Sequence, residues 1–127
     1  MKRKNGHGEA GCAVEVTLGL IDGKWKGVIL FHLQEGLLRF GELRRKMPGI
    51  TQRMLTKQLR ALEEDGLITR TVYPEVPPRV EYALSQTGQR LRPVIDALRA
   101  WGIEHRARLE AADTASQKPK IARKRAA

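Results

Sequence analysis

A chain of 127 residues supplies one domain with a modest core, and its 24 Lys and Arg against 14 Asp and Glu leave a net charge of +10. That balance favours a polyanionic partner, nucleic acid ahead of a membrane surface, because no long basic amphipathic helix accompanies it, although solubility alone also calls for charge. The single cysteine, Cys12, excludes an internal disulfide and fits a reducing cytoplasm, and no stretch approaches the ~20 apolar residues of a membrane span. Glu15 and Asp22 interrupt the segment after the basic start, so no signal peptide is expected and the protein is expected to be cytoplasmic.

Residues 1–11 are polar and glycine-containing, which predicts a disordered tail. In residues 12–21, Val14, Leu18 and Ile21 recur at helical spacing, giving a short helix stopped near Gly23. Residues 24–34 form a second helix with Trp25, Val28, Ile29 and Leu33 inward and Gly36 as its stop. Gly27 lies inside it at a propensity cost of about 1 kcal/mol relative to Ala, and close packing is the usual reason for such a glycine. Residues 39–46 make a third, short helix around Phe40 and Leu43, broken by Pro48 and Gly49, with Met47 and Ile50 covering the same small core.

Residues 51–66 carry the most information. Leu55, Leu59 and Leu62 form an apolar stripe, Thr51 can act as N-cap, and Gly66 supplies the left-handed residue that ends helices. Gln52, Arg53, Thr56, Lys57 and Arg60 occupy the exposed side of the first half, whereas Glu63, Glu64 and Asp65 crowd the last turn, the wrong end for the helix dipole. A helix with cations and amides at its front suits N-terminus-first insertion into the DNA major groove. Taken alone, the segment reads better as an ordinary amphipathic surface helix with a solvated polar face. The short helix before it and the glycine-containing turn between them make a helix-turn-helix and favour the first reading.

After Gly66 the period changes. Residues 67–73 are rich in β-branched side chains and read as a strand, and Val80, Tyr82 and Leu84 alternate with Glu81 and Ala83 as a second. Between them lies PEVPP, whose prolines at 74, 77 and 78 fix φ and remove backbone donors. A hairpin directly after a helix-turn-helix makes a winged helix, with Arg79 at the base of a wing at residues 73–80 facing phosphates or a minor groove. The alternative is a proline-rich tip that only avoids edge pairing.

Gln86, Thr87 and Gly88 form a turn into a last helix over residues 89–110, striped by Leu91, Val94, Ile95, Leu98 and Trp101, with Leu109 further along. This is more apolar length than a small winged domain needs, and it predicts a homodimer through this helix and residues 12–21, including Val14, Leu18 and Ile21. The alternative is an intramolecular clasp. Residues 111–127 hold five bases, Lys118, Lys120, Arg123, Lys124 and Arg125, and read as a disordered basic arm. The expected fold class is α+β and mainly helical: a winged helix-turn-helix domain over residues 12–110 with N- and C-terminal dimerisation helices.

The ordered residues resemble those of the HxlR-type winged helix-turn-helix transcriptional regulators of bacteria. The match runs through Cys12, Gly23, Lys24 and Trp25, Ile29 and Leu30, Arg39 and Phe40, Glu42 and Leu43, then Met54, Leu55, Thr56, Leu59 and Leu62. It continues through Glu64 to Leu67, Arg70, Val76 to Tyr82, Leu84, Gly88, Trp101 and Gly102, covering about residues 12–105. The resemblance implies a dimeric DNA-binding regulator, acting on nearby promoters and often responding to electrophiles, oxidants or small aromatic molecules. It also implies a recognition helix at residues 51–65, and in some members a sensing thiol at the Cys12 position. Gly27 and both basic tails depart from the family pattern, so the tails inherit no role.

Candidate DNA contacts are therefore Gln52, Arg53, Thr56, Lys57 and Arg60, followed by Arg39, Arg44 and Arg79 as phosphate ligands. Arg can pair with guanine and Gln with adenine, each through two hydrogen bonds. Cys12 is either a buried structural residue or a reactive sensor, depending on its surroundings. His7, His32 and His105 share no metal-ligand spacing, His32 reading as a satisfied core or interface residue, and no catalytic constellation or cofactor motif is present. The expected function is a regulator, repressing or autoregulating, that binds a pseudo-palindromic operator in double-stranded DNA as a homodimer. A protein-interaction or RNA-binding winged helix is the competing expectation.

Overall fold

Three leucines fix where the central helix lies. In the computed structural model, which describes residues 8–117, Leu55, Leu59 and Leu62 of helix α4 (Gln52–Glu64) are all buried, as their spacing on one face requires. They share a core with Ile29 and Leu30 of α2 (Lys26–His32), Leu33 of the 3-10 turn that follows, and Leu43 of α3 (Phe40–Arg45). Met47 and Ile50, between α3 and α4, are buried as expected. Each such side chain contributes about 1.5–3 kcal/mol by leaving water.

The sheet closes the other side of this core. Strands β2 (Ile68–Tyr73) and β3 (Arg79–Leu84) pair antiparallel from Ile68 opposite Leu84 to Tyr73 opposite Arg79. A two-residue strand β1 (Leu38–Arg39) pairs with β3 on its other edge, Leu38 opposite Tyr82. The resulting order β1-β3-β2 is a three-stranded sheet, where the sequence predicts only a hairpin. Ser85 ties the sheet to the end of α4: its hydroxyl donates to Gly66 O at 2.6 Å and its N–H donates to Leu67 O at 3.0 Å.

Several boundaries move. Helix α1 (Gly8–Ile21) begins inside the segment read as a tail. In α2 it is Leu30 that is buried, at 1% exposure, while Val28 is 38% exposed. Gly27 has nothing within 4 Å of a Cβ position, so close packing is not its reason. The turn at 86–88 is a short helix, α5 (Gln86–Gln89), capped by Ser85, and the last helix, α6 (Arg92–Gln117), runs seven residues past the predicted end at 110. The rest of the expected tails, residues 1–7 and 118–127, lies outside the described residues. The chain divides into two compact units at Arg92 and Pro93.

Candidate nucleic-acid interface

The polar face of α4 is built by its apolar one. With Leu55, Leu59 and Leu62 anchored inward, a 3.6-residue period turns Gln52, Arg53, Lys57 and Arg60 to solvent, all exposed, with Thr56 half-exposed. These five side chains, with Ala61 and Glu64, line one shallow open groove along the helix. Thr51 caps the helix as its sequence predicts, its Oγ1 accepting from Met54 N–H at 3.0 Å. The N-terminus is therefore fixed where the residues read as base-contacting sit, and it carries the positive end of the helix dipole.

A second groove lies between α4 and the sheet. It is lined by Gln52, Thr56, Arg60 and Glu63 on one side and by Arg70, Val80 and Tyr82 on the other, with Phe40 and Leu59. Burial pushes the Tyr82 phenol above its ordinary range, with Arg70 pulling the other way. Arg70 shares this groove with Gln52, Thr56 and Arg60 but is absent from the expected contacts. The signal was available, because strand alternation puts Arg70 on the same side as the buried Ile68. Arg70 Nε and Glu63 Oε1 are 3.8 Å apart and half-exposed, a loose pair of little energetic weight.

The second-rank cations behave differently from one another. Arg39 and Arg44 are exposed, Arg39 heading α3, where its N–H donates to Glu42 Oε1 at 2.8 Å. Arg79 is engaged: its guanidinium meets Glu75 at 2.9 Å and Glu81 at 3.0 Å and lies over the Tyr73 ring, 3.7 Å from its centroid. The hydrogen bond to Glu75 is the main reason its pKa is pushed up.

Of the residues expected at a dimer interface, Val14, Leu18, Leu98 and Trp101 are exposed and Leu91 and Val94 half-buried, whereas Ile21 and Ile95 are already buried. Trp101 stacks on His105, with ring centroids 4.7 Å apart. Cys12 is a free, half-buried thiol on α1. His32 is half-buried beside Phe31; burial first, then the charge of Lys46, lowers its pKa. Among the described residues no group of three His, Cys, Asp or Glu can hold a metal, and no helix is long and apolar enough to cross a membrane.

A short helix, a tight turn, a helix with a cationic front and a β-hairpin together define a winged helix-turn-helix DNA-binding protein. Residues 20–110 match the HxlR-like helix-turn-helix family, and the chain belongs to it. It is similar to the HTH-type transcriptional regulator YdeP of Bacillus subtilis strain 168, 54% identical over 105 residues that span 83% of this chain and 82% of that protein. Its fold resembles the redox regulator HypR in the reduced form, with 50% identity and a TM-score of 0.74 over 78% of this chain and 98% of HypR. For the oxidized form of HypR the values are 52% and 0.70, over 73% and 96%. The protein is a DNA-binding transcription regulator, and its relatives and fold are those of regulators, which are not enzymes.

Proposed function

We propose that the chain is a sequence-specific regulator that represses transcription, including its own, by binding a pseudo-palindromic operator as a homodimer. Each protomer lays the front of α4 in the major groove, Arg53 and Arg60 meeting guanine edges or phosphates and Gln52 an adenine, while the wing at residues 73–80 approaches the flanking backbone. The observation that carries this reading is that Gln52, Arg53, Thr56, Lys57 and Arg60 line a single open groove on a helix whose opposite face is locked into the core. The domain that does this is residues 12–110. Exposed apolar side chains on α1 and on α6 support closure of both faces by a second copy.

Footprinting on the DNA upstream of its own gene tests autoregulation, and selection from a random duplex pool tests sequence-specific binding. Arg53→Ala and Arg60→Ala are each expected to cost about 1–3 kcal/mol against the selected duplex. Unchanged affinity in both variants would remove Arg53 and Arg60 from the site, and binding to RNA with no duplex preference would favour the competing module. Likeness to HypR, a redox regulator, together with the half-buried free thiol on α1, supports an electrophile or oxidant as effector, acting at Cys12. Cys12→Ser is then expected to keep duplex binding and lose its response to an electrophile such as a quinone; a retained response excludes the thiol.

A further inference from the structure

The wing has an unusual charge balance for an element placed against DNA. From Tyr73 to Glu81 the sequence holds one base, Arg79, and two acids, Glu75 and Glu81. That base is engaged on three sides. Nη2 lies 2.9 Å from Glu75 Oε2, Nη1 lies 3.0 Å from Glu81 Oε2, and the plane covers the Tyr73 ring. Tyr73 and Arg79 face each other where the hairpin opens, so one guanidinium ties the end of β2, the loop and β3 together. A phosphate would have to share it with two carboxylates, whose charge offsets its own, and with an aromatic face. At the tip, Val76 is 100% exposed, set between Pro74 and the pair Pro77 and Pro78, whose rings restrict the backbone. The Glu75 N–H donates to Tyr73 O at 2.8 Å, closing the near side of the loop.

We infer that Arg79 is an internal strut, a positioning residue that holds the wing as a stiff finger without a free cation and presents the apolar Val76 tip to the sugar edge of a DNA groove. Minor-groove-binding proteins do carry apolar side chains into the groove, there as wedges between base steps. The fork of Arg is needed because a lysine is a point charge that cannot span two carboxylates while stacking on a ring. The inference rests on the duplex-binding reading above for its DNA part only.

Three variants, Arg79→Lys, Arg79→Gln and Val76→Lys, separate a strut from a phosphate ligand when each is titrated over a salt series against a duplex selected by the protein from a random pool. A strut predicts that the Lys and Gln variants lose affinity alike, with the slope of log affinity against log salt unchanged. A phosphate ligand predicts that Lys rescues binding and that Gln reduces the slope by about 0.9 per protomer, which would overturn the inference. Wild-type affinity in both variants would overturn it as well. Val76→Lys is expected to steepen the slope by about 0.9 per protomer, and an unchanged slope would take the tip out of the interface. Hydrogen exchange at the Glu75 amide of the free protein should quicken in both Arg79 variants; unchanged exchange ends the strut whatever the DNA does. Should the wild type select no duplex, the regulator reading fails, while the exchange measurement still decides the strut.

Discussion

Gly88 occupies a position that admits no side chain. A Cβ there would collide with the Leu67 carbonyl oxygen and approach Leu84 Cδ2 at 3.3 Å. That oxygen already accepts the Ser85 N–H at 3.0 Å, so it cannot yield without loosening the tie between α4 and the sheet. Gly88→Ala should therefore destabilise the fold by about 1–3 kcal/mol, as overpacking does, read as a lower urea midpoint with the slope unchanged. The sequence marks Gly88 as a turn residue, because the approach that makes it necessary joins segments far apart in the chain. Arg79 was more legible: strand alternation alone puts Glu81 on its side of β3. What hid its engagement was Glu75, brought near only by the hairpin register. Within α2, Val28 and Leu30 both fit an apolar turn, and only the packing partners choose Leu30.

At the scale of elements, legibility follows the number of independent signals. Helix α4 has three, a cap, a stripe and a left-handed glycine, Gly66 at φ 77°, and its predicted and observed limits agree closely. Strand β1 has two residues and hence no period to read. The end of α6 is not legible in the sequence because alanines at 111, 112 and 115 favour helix without any large apolar side chain to announce it. The cap of α4 also allows folding and binding to be separated. Thr51→Ala removes the acceptor of the Met54 N–H and should lower stability by about 1 kcal/mol in urea unfolding. Thr51→Asp restores an acceptor and suits the helix dipole, yet sets a negative charge beside Gln52 and Arg53. It should unfold like the wild type and bind duplex DNA more weakly. Undiminished binding would move the DNA away from the front of α4.

For the whole molecule, the reading depends on what covers the terminal helices. In α6, Leu98 is 53% and Trp101 66% exposed, with Ile103 and Leu109 also outward, while α1 exposes Val14, Val16 and Leu18. Isolated apolar side chains on a surface need no explanation, but runs of them on each of two helices do. In the proposed homodimer a two-fold copy would cover them and would pair two α4 helices for half-sites about one helical turn apart, or a multiple of it. Leu98→Glu and Trp101→Glu lie on open helix surface, so their cost should fall on association rather than on folding. Each is expected to sediment as a monomer with unchanged helical circular dichroism. Because each protomer then binds its half-site alone, affinity for the full operator should fall by roughly a hundredfold or more while a half-site duplex is bound as before. A variant that stays dimeric, or a monomer that keeps full operator affinity, would show that these faces serve something other than pairing the two reading helices.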